Sequence, residues 1–173
     1  MATYKIDPSH SEITFKVKHL MISNVKGEFK NFTAEINGED LESSTVKATI
    51  DSSSIYTNND DRDNHLKSAD FFEAEKYPQL KFTATKIDNA IGESFDLHGD
   101  LTIKDVTKNI KLSVEFGGIA VDPYGNTKAG FTLSGKINRK DFGLTWSAVT
   151  EAGGVVVSDD VRLAAEIQLV QQA

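Results

Sequence analysis

The chain has 173 residues, enough for one domain with a sizeable core, and its 39% hydrophobic and 26% charged residues are typical of globular proteins. The formal net charge is -7 and the sequence has no local cluster of Lys and Arg, which disfavours nucleic acid or an anionic membrane surface as the main partner. Because cysteine is absent, a disulfide or a thiolate metal site is excluded. No stretch approaches the ~20 apolar residues of an integral membrane segment. The N-terminus MATYKIDPSHS lacks the pattern of a signal peptide, so we expect a cytoplasmic location, or a periplasmic one if such a peptide has been removed.

Alternation of apolar and polar residues recurs along the chain and predicts eight amphipathic strands. The first strand, residues 11–19, carries on one face Ile13, Phe15, Val17 and His19. The second, residues 26–36, changes phase between Phe29 and Phe32, which predicts a bulge near Lys30. The other six predicted strands are residues 44–50, 79–87, 94–103, 109–116, 129–137 and 161–170.

One segment, residues 58–77, interrupts the strand pattern. Asn59 or Asp60 can cap a short helix with acidic residues in its first turn. Asp70 followed by Glu73 predicts a second helical start. We therefore expect a short helical segment near residues 59–76.

Strands with one apolar and one polar face must bury their apolar faces against each other. Closure into a barrel achieves this and removes exposed edges. We predict an all-β fold, an eight-stranded antiparallel up-and-down barrel of the lipocalin type, with the helical segment covering one mouth. Residues 1–173 are expected to form this single domain. A two-sheet sandwich is the competing fold.

Small residues recur near the middle of the inward faces, each next to larger ones. They are Ala48, Ala84, Gly99, Gly135 and Ala165. If they lie at similar heights, the waist of the barrel is too sparsely lined to be filled, which predicts a cavity. The alternative is that small and large side chains mesh in a filled core, with glycines permitting the strands to coil.

Few other residues indicate chemistry. The four histidines lack metal-site spacing, and Asp7, Ser9 and His10 indicate a hydrogen-bonded start of a strand rather than a hydrolase centre. His19 lies on the inward face, either at the rim or against a ligand. Arg62 and Arg139 have acidic neighbours and are expected to form structural ion pairs. The aromatic residues expected to plug the barrel ends, or to line the cavity there, are Phe71, Phe72 and Trp146.

Several stretches together resemble the YceI-like family. They include IDPSHSEITFKVKH, NNDDRDNHLKSADFFEAEKYP, GDLTIKDVTKNIKL, INRKDFGLTW and VSDDVRLAAEIQL. The resemblance implies an eight-stranded lipocalin-like barrel around a long apolar pore that binds polyisoprenoid-type molecules, such as polyprenyl phosphates and isoprenoid quinones. It also implies a homodimer, and it implies neither a cofactor nor catalysis.

The resemblance and the inward pattern together predict a site that binds, stores or transports a long-chain isoprenoid or a similar amphiphilic lipid. An enzyme acting on such a lipid and a filled barrel without ligand, as a structural or stress protein, are the alternatives. The predicted ligand-binding residues are Ile13, Phe15, Val17, His19, Phe29, Ala48, Phe71, Phe72, Phe82, Ala84, Leu97, Gly99, Leu101, Leu112, Val114, Phe131, Leu133, Gly135, Trp146, Leu163, Ala165 and Ile167.

Overall fold

The structure, a computed structural model, describes residues 3–38, 44–146 and 157–172. In this part of the chain there are eleven strands and one α-helix, α1, at Asp60–Lys67. The strands are β1 Thr3–Ile6, β2 Glu12–His19, β3 Ser23–Phe29, β4 Phe32–Asn37, β5 Thr45–Asp51, β6 Ile55–Tyr56, β7 Gln79–Ile91, β8 Ser94–Ile103, β9 Val106–Val121, β10 Thr127–Asn138 and β11 Val157–Gln171.

All strand pairings are antiparallel, and they close into a barrel with eight strand positions. Three of these positions hold two strands in succession: β1 with β2, β3 with β4, and β5 with β6. The barrel closes at β11, which pairs with β10 on one side. On its other side β11 pairs first with β2, where Leu163 lies opposite Phe15, and then with β1, where Leu169 lies opposite Ile6.

The structure confirms the lipocalin-like barrel that the alternation predicts and excludes the sandwich. The strand β1 was missed, because it has only four residues and is cut off by a 3-10 turn at Pro8–His10. Proline lacks the N–H that a strand ladder needs, so the chain leaves the ladder there. The predicted phase change near Lys30 coincides with the break between β3 and β4.

The helix α1 lies at one end of the barrel, together with the β2–β3 and β8–β9 turns; we call this the helix end. The opposite end, the terminal end, holds Thr3, Gln172 and the β9–β10 turn. As predicted, Asn59 caps α1, and its side-chain oxygen accepts a hydrogen bond from the Arg62 N–H at 3.0 Å. The second helical start predicted at Asp70 is wrong: residues 68–77 form turns, closed by hydrogen bonds such as Ala74 N–H to Lys67 O.

A buried arginine links the residues that follow β10 to the start of β11. Arg139, only 3% exposed, donates hydrogen bonds to the carbonyl oxygens of Leu144, Trp146 and Ser158 at 2.6–2.9 Å. Burial lowers its pKa from the usual value, the nearby Asp159 carboxylate opposes this at 3.9 Å, and the guanidinium stays charged at neutral pH. The expected ion pair is therefore secondary, because backbone carbonyls are the main partners of this cation.

We predict that Arg139→Met lowers the free energy of unfolding by about 3–5 kcal/mol, because the substitution leaves buried carbonyl groups without donors. Arg162→Met is the matched control, since Arg162 is exposed on the neighbouring strand β11 and should change stability by no more than about 0.5 kcal/mol. Denaturant unfolding of both variants measures the difference. Equal losses would contradict the structural role of Arg139.

Candidate functional site

An apolar cavity of about 500 Å³ runs along the inside of the barrel. It reaches from His19 and Trp146 at the helix end to Ile6 and Leu169 at the terminal end. Both Val157 and Leu169 line it, so it follows roughly 40 Å of strand β11. A cavity of about 150 Å³ accommodates one benzene molecule. By that comparison the barrel has room for roughly twenty carbon atoms, which contradicts the alternative of a filled core.

All but three of the ligand-binding residues predicted from the sequence line this cavity. The exceptions are Ala84, Gly99 and Gly135. The prediction missed Ile6, which lies on the unpredicted strand β1, although alternation within TYKI was a usable signal. It also missed Arg62 and His65 on α1, for which a short polar helix offers no inward pattern.

The predicted bare waist is wrong at both glycines. A β-carbon built on Gly99 would overlap the ring of Phe82, which lies two residues from Ala84, the partner of Gly99 in the β7–β8 ladder. A β-carbon on Gly135 would lie 2.7 Å from Cδ2 of Leu112 and 3.3 Å from the carbonyl oxygen of Lys111. Large side chains of neighbouring strands therefore cover the two glycines. The alanines Ala48 and Ala165 do border the open space.

We predict that Gly135→Leu lowers the free energy of unfolding by about 1–3 kcal/mol, because the new side chain collides with Leu112. The matched control is Gly130→Leu in the same strand, where a β-carbon would meet nothing within 4 Å. Thermal and denaturant unfolding compare the two variants. Equal stability of both would contradict the close cover over Gly135.

Aromatic side chains close the helix end of the cavity. Phe72, from the turns after α1, packs edge-on against Phe29 of β3, with ring centroids 5.8 Å apart. Phe71 contacts Trp146 at 5.4 Å, and His65 lies at 5.1 and 5.0 Å from these two rings. These contacts attach the helical segment to the barrel. The helix α1 depends on them, because it is too short and too polar to be stable alone.

Polar side chains of α1 form hydrogen bonds with the residues that flank the helix. Arg62 donates hydrogen bonds from Nε to Thr57 Oγ1 at 2.8 Å and from Nη2 to Thr57 O at 2.6 Å, so its main contact is not the expected ion pair. The carboxylate of Asp63 accepts hydrogen bonds from the backbone N–H and the hydroxyl of Thr57. His65 Nε2 lies 2.9 Å from Asp70 Oδ2.

The residues Asp7, Ser9 and His10 do come together, but outside the cavity lining and without the geometry of a nucleophile and base. The Ser9 hydroxyl donates to Asp7 Oδ1 at 2.7 Å, while His10 Nδ1 contacts Asp7 Oδ2 at 2.9 Å. Ser9 Oγ also lies 3.1 Å from this same His10 Nδ1, whereas a catalytic triad uses one imidazole nitrogen for the carboxylate and the other for the serine, so the cluster lacks the triad arrangement. Lys128 Nζ lies 2.9 Å from Asp7 Oδ2, and it is the main reason why the pKa of Asp7 falls well below its usual range.

The lowered pKa of Asp7 makes stability depend on pH. In the unfolded chain an aspartate carboxyl has a pKa of about 3.9. The contribution of Asp7 to the free energy of unfolding is therefore complete above that pH and is lost as the pH falls toward the lower pKa of the folded state. We predict that Asp7→Asn destabilises the protein at pH 6 and that its difference from wild type shrinks below about pH 4. Asp160→Asn, at an exposed ion pair of 3.8 Å with Lys136, is the control with a smaller effect. A pH-independent difference for Asp7→Asn, measured by denaturant unfolding, would contradict the linkage.

Among the described residues, no group of three or more His, Cys, Asp or Glu side chains could hold a metal ion. The same part of the chain contains no helix long and apolar enough to cross a membrane.

A closed antiparallel barrel around an apolar cavity, with a short helix at one mouth, defines the lipocalin-like class of barrels. Within that class, residues 4–169 match the model of the YceI-like domain. The chain therefore belongs to the YceI-like family.

Individual proteins agree with this assignment. The UPF0312 protein SERP2314 of Staphylococcus epidermidis is 41% identical over 171 residues, which cover 97% of each chain. The crystal structure of the Campylobacter jejuni YCEI protein is similar with a TM-score of 0.77 and 40% identity, and 91% of each chain is covered. A polyisoprenoid binding domain from Saccharophagus degradans has a TM-score of 0.73 at 17% identity, with 98% of each chain covered, and shares the fold.

Proposed function

We propose that this barrel binds a long-chain isoprenoid, such as a polyprenyl phosphate or an isoprenoid quinone, or a similar amphiphilic lipid, along its axis. The observation that carries the proposal is the continuous apolar cavity from the helix end to the terminal end. The description of the Saccharophagus degradans neighbour as a polyisoprenoid binding domain agrees with it. The function would be storage or transport of the lipid.

The shape and lining of the cavity favour a long chain over a compact metabolite. Burial of each CH₂ group contributes about 0.8 kcal/mol, so roughly twenty carbons contribute about 16 kcal/mol before costs are subtracted. Association itself costs about 4–15 kcal/mol. A short apolar ligand would therefore not be held, whereas a chain that fills the cavity would be.

The ionisable side chains of the lining favour one orientation of the lipid. Those among the described residues are all basic and all at the helix end: Lys18, His19, Arg62, His65 and Arg139. Arg139 and His65 already have close partners, and Arg62 has further N–H donors beyond those bound to Thr57. An anionic or strongly polar head group would accordingly lie beneath α1, with the chain directed toward the terminal end.

Filling the cavity provides the test. We predict that Ala165→Phe weakens binding of a polyprenyl phosphate or a quinone at least tenfold, because the ring takes space that the chain needs. It should leave the unfolding temperature of delipidated protein unchanged or slightly higher, since Ala165 borders open space. Fluorescence titration and thermal unfolding measure the two effects.

The control for this experiment is Ala120→Phe, which places the same ring at an exposed position of β9 and should leave affinity unchanged. Loss of stability in Ala165→Phe with unaltered affinity would contradict the proposal, because it would mean that the cavity is not where the lipid lies.

A further inference from the structure

The outer face of the barrel carries a row of basic side chains that is invisible in the sequence. Lys136 of β10 lies opposite Arg162 of β11, Arg162 lies opposite Lys16 of β2, and Lys16 lies opposite Lys26 of β3. Lys111 of β9 continues the row, because its carbonyl oxygen lies beside Gly135 and this exposed residue lines the same surface groove as Lys136. We call these five residues the basic belt.

The belt is unfavourable for the isolated protein. Like charges directly opposite each other on paired strands repel, and here three successive pairs of strands repeat that arrangement. Lys136 reaches Asp160 at 3.8 Å, whereas the other four belt residues have no acidic partner within 4.0 Å in the described ranges. A chain with 26 acidic residues and a net charge of -7 could supply such partners easily.

The rows on either side of the belt contain little that neutralises it. Toward the terminal end, the residues in register across β9, β10, β11 and β2 are uncharged, namely Ser113, Ser134, Ala164 and Thr14, and the row ends on β3 with the acidic Glu28 opposite Thr14. Toward the helix end, the corresponding side chains are Asn109, Asn138, Asp160 and Lys18, of which only Asp160 is acidic. With two acidic residues, Glu28 and Asp160, in the flanking rows against five belt cations, the belt is a patch of net positive charge on an acidic protein.

One end of the belt borders a gap between two strands, because Lys111, Lys136 and Arg162 line it. Pairing between β9 and β10 ends at Ser113 and Ser134, and beyond it a surface groove of about 720 Å³ opens between the two strands. Lys108 and the acidic Asp141 also line this groove. Ile110 and Ile137 line both this groove and the central cavity, so a single layer of side chains separates the two spaces.

We propose that the basic belt docks the barrel sideways on an anionic membrane surface, with the side chains of its middle strands, β10, β11 and β2, on lipid phosphates and the adjacent β9–β10 gap beside the bilayer. This proposal rests on the proposed function, because a lipid carrier must collect its cargo from a membrane. Charge complementarity supports it, since each Lys or Arg near an anionic surface strengthens binding by about fivefold. A second copy of the chain fits this face poorly, because belt would meet belt.

Sedimentation with vesicles tests the proposal on delipidated protein. One set contains phosphatidylcholine only, and the other includes about 30 mol % phosphatidylglycerol, with no prenyl lipid in either, at about 50 mM and about 500 mM NaCl. We expect binding to the anionic vesicles at low salt and loss of it at high salt. Binding that is absent, or equal on both vesicle types, would overturn the proposal.

The decisive variant is Lys16→Gln/Arg162→Gln, which removes two directly opposed cations. It should bind anionic vesicles at least tenfold more weakly than wild type and should unfold at the same or a higher temperature, because repulsion is relieved. The matched control, Lys47→Gln/Lys81→Gln, removes two exposed cations from the neighbouring strands β5 and β7 on another side of the barrel. It should bind within about twofold of wild type. Equal losses in the two variants would mean that net charge, not the belt, governs binding, and would overturn the proposal.

A binding assay with single-stranded DNA in place of vesicles tests whether the belt binds a nucleic acid instead of a membrane. If the belt variant lost DNA binding while wild type ignored vesicles, the occupant would be a nucleic acid and the proposal would be wrong. Because the vesicles contain no prenyl lipid and the measurement compares their charge, a failure of isoprenoid binding in the cavity would not alter these results, so the two proposals fail separately.

Discussion

Strand β11 determines the rest of this structure because it closes the barrel. Its pairing with β10 on one side and with β2 and β1 on the other joins the two sides of the sheet, so that among the described residues the main interruption is the β9–β10 gap. Closure with eight strand positions fixes a diameter at which inward side chains either just fill the interior or leave room for one ligand. Here, residues such as Ala165 and Ala48 are too small to meet across the axis, and the cavity follows.

Much of the fold and of the cavity lining could be predicted, because apolar and polar residues alternate along each strand. This alternation directly shows which side chains face inward. What could not be predicted depends on register between strands. The cover over Gly99 comes from Phe82, and that over Gly135 from Leu112, neither of which is close in sequence. The basic belt is hidden for the same reason, since Lys16 and Arg162 meet only when β2 pairs with β11. Partners of a buried cation, such as Arg139, depend on the path of the connection after β10.

The barrel carries two separate groups of basic side chains, one inside the cavity and one on its outer face. Inside, the basic side chains of the described lining are confined to the helix end, where the proposed function places the polar head of the lipid. Outside, the basic belt follows the strands around the β9–β10 gap. Membership of the YceI-like family agrees with a binding role. The homodimer, the compartment and the absence of catalysis stay predictions.

The central claim is that a long lipid occupies the barrel, and its most direct test is mass spectrometry of an organic extract of the purified protein. We expect a long-chain isoprenoid or similar amphiphile, in up to one equivalent per chain, that is depleted from Ala165→Phe purified in parallel. An extract without such a species, together with failure of the delipidated protein to bind quinones or polyprenyl phosphates, would contradict the claim.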